Sequence, residues 1–512
     1  MYDLIVRNAF VVDGTGNPGY RADIAVYNDI IADIGPNLEF SARNEIDGEG
    51  LVLSPGFIDF HSHEDLEVLR HPMVEEKLKQ GFTTTVNGNC GVGLFPLVGN
   101  KETLDALSKD VLGEYSGSWD WKDFATFREK VNEKGAGLNQ IYLVAHTPLR
   151  VAAMGEDCTR EATDEEIVRM VELLDENLTQ GALGFSSGLY YSPCIYASQK
   201  ELDAILSCVA KRNKIFAVHH RCEGDDFLSS LTEVLELSKR NGCRLEISHL
   251  KAIGNRNQAK VPEGLKLIEK YRAEGVDVEF DQYPYEFGST SLFSFLPPDV
   301  LQLSKIEQRL ALGLECERER IKKDIMNPDG WDSLYSLVGA DRIRLITLDS
   351  FPEYQGKLLS EVGEMRGEDP LDSLLYILSE ETGKAVMTDV TQDEDMLELI
   401  MQHPLMHFGT DSLFSSDTPH PRTVDATMHF MRKYVSGKHI LELEDAVRRM
   451  TGFTADRLGL EDRGYIKPGK IADLVLFDPS KGEVKSVIVN GRETVKNNVV
   501  LGYLEGKVLQ IK

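Results

Sequence analysis

Between residues 57 and 408 the chain alternates short apolar runs with longer amphipathic stretches. Eight runs read as strands: 57–61, 83–86, 141–145, 183–185, 215–218, 245–247, 276–280 and 406–408. Between most of them apolar residues recur at helical spacing, as over 164–179, 200–213 and 229–241. A strand–helix alternation implies a parallel sheet, and eight such units imply a closed (β/α)8 barrel. The ends of the chain have another texture. Short apolar runs separated by turn residues (Asp13-Gly14, Gly16-Asn17-Pro18-Gly19, Asn490-Gly491) fill residues 1–55 and 466–512. Neither end is large enough to bury a core alone, so the two are expected to form one small β-sandwich domain around a catalytic barrel at 56–465. The stretch from about 290 to 400 is too long for one crossover and predicts an inserted subdomain, with a helix at 315–326 and extra strands at 342–348 and 385–387.

Barrels of this kind place their chemistry at the C-terminal ends of the strands, and those ends are unusually polar here. Strand one runs into His61 and His63, whose i, i+2 spacing puts both on one side of a strand. Strand two ends in Asn87-Gly88-Asn89-Cys90-Gly91, strand three in His146, strand five in His219-His220, strand six in His249 and strand eight in Asp411. Thiolate, imidazole and carboxylate together suit zinc. Cys90, His219 and His249 make a three-ligand site with one open position. His61, His63 and Asp411 are expected to hold a second metal, with Cys90 or a water between. Asp411 is also the candidate base and acid for hydrolysis of an amide. His146 reads as a supporting or structural residue, and His220, next to His219, should point outward between barrel and helices. Each residue has a bland alternative: Cys90 as a buried small hydrophobe, Asp411 as a helix cap. The joint occurrence at successive strand ends outweighs them.

Composition narrows the field. A chain of 512 residues with a net charge of −28 is poorly suited to a polyanionic partner. The N-terminus lacks the basic start and apolar run of a signal peptide, and no apolar run of about 18 residues predicts a membrane span. Seven cysteines without paired spacing fit a reducing cytoplasm. The expected partner is a small molecule, with neither nucleic acid nor membrane, and a homo-oligomer is compatible with the composition.

Several motifs carry a resemblance over nearly the whole chain. Gly-Phe-Ile-Asp-x-His-Ser-His at 56–63 and Gly-x-Ile-x-Pro-Gly-x-x-Ala-Asp-Leu-Val at 464–475 resemble the opening and close of the amidohydrolase superfamily. Gly88-Asn89-Cys90-Gly91, the 181–189 segment, His219-x-Arg221-x-Glu223, Ser248-His249-Leu250-Lys251, Tyr283-Pro284-Tyr285 and Pro419-His420-Pro421-Arg422 resemble its D-aminoacylase branch, the N-acyl-D-amino-acid deacylases. The resemblance implies one tight zinc on Cys90, His219 and His249, and an optional second on His61, His63 and Asp411. It implies a substrate carboxylate held by Lys251, Tyr283, Ser289 and Arg422, and D rather than L substrates. For Arg422 the bland alternative is a loop-stiffening pair with an acidic neighbour such as Asp425. Competing readings are a cyclic-amide hydrolase of the hydantoin or dihydropyrimidine type, a dipeptidase of the same superfamily, and a scaffold without activity. The cyclic-amide reading calls for a strand-four lysine, and strand four ends Phe185-Ser186-Ser187-Gly188.

Overall fold

The structure, a computed structural model, describes residues 1–415 and 419–512. All eight expected barrel strands form: Phe57–Asp59, Phe82–Asn87, Asn139–Tyr142 with its continuation Val144–Ala145, Gly184–Gly188, Ile215–His219, Arg244–Ile247, Val278–Gln282 and Met406–Phe408. Neighbours pair in parallel from the first strand to the third and from the third's continuation to the eighth. The two arcs join where Leu183 N–H donates to Tyr142 O at 2.9 Å, and the ring closes where Phe60 N–H donates to Phe408 O at 3.1 Å. Just above that seam, Ser62–His63 pairs in parallel with Ser412–Leu413.

The alternation of side chains along these strands sets up two cores. Leu245, Ile247, Val278, Phe280, Met406 and Phe408 join the large outer core against the helices. Ile58, Val86, Ile141, Leu183, Ile215 and Ala217 fill the barrel interior with Ala455 and Leu458 of the helix Gly452–Leu458. Helix ends are set locally. Thr163 and Glu166 form a reciprocal capping box at the start of Asp164–Thr179, satisfying donors that the first turn leaves free.

Both chain ends share one nine-stranded sheet. Its N-terminal part meets its C-terminal part where Val52–Pro55 runs antiparallel to Leu474–Asp478. Alternate residues from both parts, among them Val6, Ile24, Leu53, Leu474 and Ile488, make a separate core. Between barrel strands seven and eight, Phe287–Ser291, Ile343–Leu348 and Ala385–Val390 form an antiparallel three-stranded sheet. With helices that include Lys305–Gly313, Glu315–Met326 and Pro370–Glu380, it encloses its own apolar core. Among the described residues no helix is long and apolar enough to cross a membrane.

Candidate active site

Ten side chains singled out in the sequence, from the ends of barrel strands one, two, five, six, seven and eight and the segments that follow them, gather above one end of the barrel. Three of them sit where the backbone is forced out of the ordinary regions: Cys90 at φ 52°, His249 at φ 35° and Asp411 at φ 50°. For residues with a Cβ such conformations are uncommon and persist where surrounding structure imposes them. Gly188 makes one of these possible. A Cβ there would lie 2.2 Å from the carbonyl oxygen of Cys90, so strand four must end in glycine for the Cys90 loop to lie across it.

At the centre, Cys90 Sγ is 3.3 Å from His61 Nε2 and 3.4 Å from His249 Nε2. His219 Nδ1 is 2.9 Å from that same His249 nitrogen. Asp411 Oδ1 lies 3.5 Å from His61 Nε2 and 3.3 Å from His63 Nε2. Burial alone would push the Cys90 thiol up, but the charges of His61 and His249 and hydrogen bonds from His219 and His249 hold it well below its ordinary value. Burial would likewise raise Asp411, and Arg422 with the neighbouring histidines holds it well below the usual carboxylate range.

Two donor triads meet here, His61–His63–Cys90 and Cys90–His219–His249, each with its atoms within 4.8 Å of one another. Two imidazole nitrogens 2.9 Å apart share at most one proton between them. The remaining lone pairs and the thiolate face a common centre that a soft-to-borderline cation would fill, and a cysteine with two histidines is a donor set that fits zinc and leaves a position open.

The supporting groups were less visible in the sequence. Asp281, inward-facing on strand seven, accepts from His61 Nδ1 at 3.1 Å and from the backbone N–H of His249 at 3.0 Å. It thereby turns His61 Nε2 toward Cys90. Its alternation with Glu279 along the strand was the available signal. Glu223 lies 3.1 Å from His249 Nδ1 and accepts from Lys251 Nζ at 2.8 Å. Asp59 takes the N–H and hydroxyl of Thr410 at 2.8 and 2.7 Å, and the buried Lys77 binds both residues, pinning the turn that carries Asp411. Tyr190 and Tyr191, in the loop after strand four, cover His219 with ring centroids 5.6 and 4.8 Å away.

Lys251, Tyr283, Ser289 and Arg422 line one small recess beside the donors, of about 50 Å³. Arg422 Nη1 is 2.8 Å from Asp411 Oδ2, and its Nη2 donates to Ser289 O at 3.3 Å. Its Nε has no hydrogen-bond partner among the described residues. The guanidinium lies over the Tyr283 ring, 4.6 Å from its centroid. Asp425 binds Arg432 instead, so the acidic partner of Arg422 is Asp411. Ser289 donates its hydroxyl to Met387 O at 3.0 Å. His146 turns away from the centre, bonded to Ser187 at 2.9 Å and Glu201 at 2.8 Å. His220 faces the helix Phe227–Asn241, bonded to Ser230 at 3.0 Å. Both therefore stand outside the cluster, as their positions in the sequence suggested.

The amidohydrolase family model matches residues 44–294 and 340–510. The chain is 31% identical to D-aminoacylase of Alcaligenes xylosoxydans xylosoxydans, over 99% of this chain and 97% of that one. It is 33% identical to N-acyl-D-aspartate deacylase of the same organism, over 93% and 86%. Its fold superposes with a TM-score of 0.84 and 30% identity, over 99% of both chains, on N-acyl-D-glutamate deacylase of Bordetella bronchiseptica, solved with zinc and a phosphonate mimic of the tetrahedral intermediate. On the strength of these matches over nearly its full length, the chain belongs to the amidohydrolase family, in its D-aminoacylase branch.

Proposed function

We propose that this protein is a zinc-dependent hydrolase of N-acyl-D-amino acids, releasing a carboxylate and a free D-amino acid. The observation that carries this is the convergence of Cys90, His219 and His249 on one point, with the Asp411 carboxylate on the same rim. His61 and His63 support a second, weaker site. The relatives with D-aminoacylase and deacylase activities add the substrate class, and the Bordetella relative adds the zinc.

Zinc held by this donor set supplies Lewis acidity toward a carbonyl oxygen at neutral pH. The remaining tasks fall to the chain. Asp411, kept ionised by Arg422, takes the proton of the attacking water and returns it to the leaving nitrogen. Glu223 and Asp281 orient the imidazoles. Arg422, stacked on Tyr283, offers its Nε to the substrate α-carboxylate, with Lys251, the Tyr283 hydroxyl and Ser289 around it. Asp65 is worse placed than Asp411 to act as the base, since it lines neither the recess nor the larger cavity beside the centre.

The cyclic-amide reading gains nothing here, since strand four offers two serines bonded to Gly88 O and His146 in place of a lysine. We also read 1–55 with 466–512 as one β domain on a barrel at 56–465, interrupted at about 290–400, a division supported by the shared sheet and the separate inserted core. Seven unpaired cysteines, six of them buried, support a cytoplasmic setting. The test is a panel of N-acetyl-D-amino acids, their L enantiomers and hydantoins, assayed on zinc-loaded protein. Hydrolysis of the D forms alone is expected; equal rates on both enantiomers, or turnover of hydantoins alone, would refute the reading.

A further inference from the structure

Two cavities meet at the cluster and differ in size and lining. The recess with Lys251, Tyr283 and Arg422 holds about 50 Å³, whereas the second opens to about 600 Å³. Tyr190, Tyr191, His249, Ser289 and Asp411 line both, so the reaction centre lies at their junction.

One wall of the larger cavity is the helix Lys101–Leu112, which turns Thr103, Ala106, Leu107 and Asp110 toward it at the spacing of a single helical face. The opposite wall belongs to the inserted segment, with Phe293, Leu296, Leu301 and Trp331. Ser291 ties the walls together by donating to Asp110 Oδ2 at 2.9 Å. The charged lining is acidic on balance. Glu102, Asp110 and Glu156 face Lys305, the one lysine or arginine among the described lining residues. Lys305 is already folded over Phe293, its Nζ 3.4 Å from the ring centroid.

In an N-acyl amino acid the carboxylate and the acyl chain lie on opposite sides of the scissile C–N bond. A carboxylate held in the cationic recess therefore sends the acyl chain across the junction into the large cavity. An acetyl group would leave most of that space empty. A cavity of this size is of the order that buries a drug-sized apolar group.

We propose that this chamber is an acyl-chain site, and that the preferred substrates are D-amino acids carrying a medium-chain, uncharged, apolar acyl group. The inference rests on the deacylase reading above and adds the acyl class. An acyl group ending in a carboxylate meets Glu102, Asp110 and Glu156 against a single cation, Lys305, and this lining, negative on balance, disfavours it.

The experiment is a chain-length series on one D-amino acid with the zinc-loaded enzyme: N-acetyl, N-butanoyl, N-octanoyl, and N-succinyl, which replaces the terminal methyl of butanoyl with a carboxylate. The expected result is a kcat/KM for octanoyl at least about tenfold above acetyl, since each buried methylene adds to binding. Succinyl should fall at least about tenfold below butanoyl. Leu107→Trp and Leu301→Trp, filling the chamber from opposite walls, should each lower the octanoyl-to-acetyl ratio about tenfold. If acetyl is hydrolysed but the wild-type ratio is flat or below one, the acyl-chain site is overturned and the deacylase reading stands. If no N-acyl-D-amino acid is hydrolysed, the deacylase reading falls and this inference with it. A tryptophan variant that fails to fold leaves the wild-type series to decide.

Discussion

The barrel holds two buried clusters that look alike by residue type and differ in what balances them. At the mouth, Cys90, His219 and His249 crowd within 4.8 Å; deeper inside, Glu246, Glu279 and His407 do the same. The deeper cluster already contains its cation. Arg457 Nε lies 3.1 Å from Glu246 and 3.3 Å from Glu279, and Glu279 accepts from His407 at 2.7 Å. Burial would raise Glu279, but His407 and Arg457 bring it down to about 2. At the mouth, among the described residues, no lysine or arginine bonds the Cys90 thiolate or the ring nitrogens that face it. Lys251 meets His249 at Nδ1, 3.0 Å away, and pairs with Glu223, while Arg422 pairs with Asp411. Proximity of donors is thus a poor sign of a metal centre. The better sign is a thiolate met by titratable imidazoles alone, with no lysine or arginine bonded to it among the described residues.

The sharpest break of this comparison is Cys90→Ala. Two imidazoles alone lose most of the affinity of a three-ligand site. The zinc content after dialysis should fall to near zero, and activity by about 10⁴-fold. Full zinc by elemental analysis in this variant would remove the mouth's distinction from the deeper cluster. His61→Ala should cost less metal, since it belongs to the weaker pair.

Asp411→Asn separates the charge at the mouth from its chemistry. It should keep the fold and the zinc of Cys90, His219 and His249 while losing about 10²–10⁴ in kcat, because an amide cannot accept the water's proton. Near-normal turnover with zinc bound would exclude Asp411 as the base.

Arg457→Met tests the deeper cluster in the opposite sense. Removing one partner of a buried ion pair costs about 3–5 kcal/mol. Zinc stoichiometry should stay that of wild type, with a large fall in denaturant midpoint. A fall in zinc with unchanged stability would contradict the division of roles drawn here.

Much of the mouth was legible in the sequence because its residues are chemically rare and stand at the ends of apolar runs. Cys90, His249 and Asp411 need no long-range information to be suspected. The eight strands were legible for the same reason, as short apolar runs between amphipathic stretches. Asp281 was not, since a strand aspartate gains meaning from the His61 ring that packs on it 220 residues away. Arg457 is 211 residues from Glu246 and sits on a helix whose own pattern gives no hint of its partner. The inserted sheet was legible as two strands, but not its pairing with Phe287–Ser291, which carries Ser289 to the recess.

Arg422→Ala sharpens the comparison within the mouth itself. The residue both steadies Asp411 and holds an Nε without a partner among the described residues. Losing a charge-assisted bond to the substrate carboxylate should lower kcat/KM about 10–100-fold with zinc intact. Arg422→Lys should recover little, since an ammonium cannot reproduce the planar fork. If the Ala variant discriminates a substrate from its carboxamide analogue as well as wild type does, the carboxylate is held elsewhere.

The smallest expected effect concerns a histidine that belongs to neither cluster. Burial would lower His146, but the charge of Cys194 and hydrogen bonds to Cys194 and Glu201 raise it to about 9. A histidine raised in the folded state stabilises the fold fully below its free value near 6.5, and that contribution is lost as pH climbs through about 9. The thermal midpoint of the zinc-loaded protein should therefore decline between pH 7 and pH 10. His146→Gln, which still offers Glu201 a donor, should start lower by a few degrees at most, roughly, and fall less steeply over that range. Parallel slopes for the two proteins would show that the imidazolium at position 146 is not what titrates. The buried charge beside strand three would then have to be assigned to Glu201 with Arg150, which is 2.6 Å away.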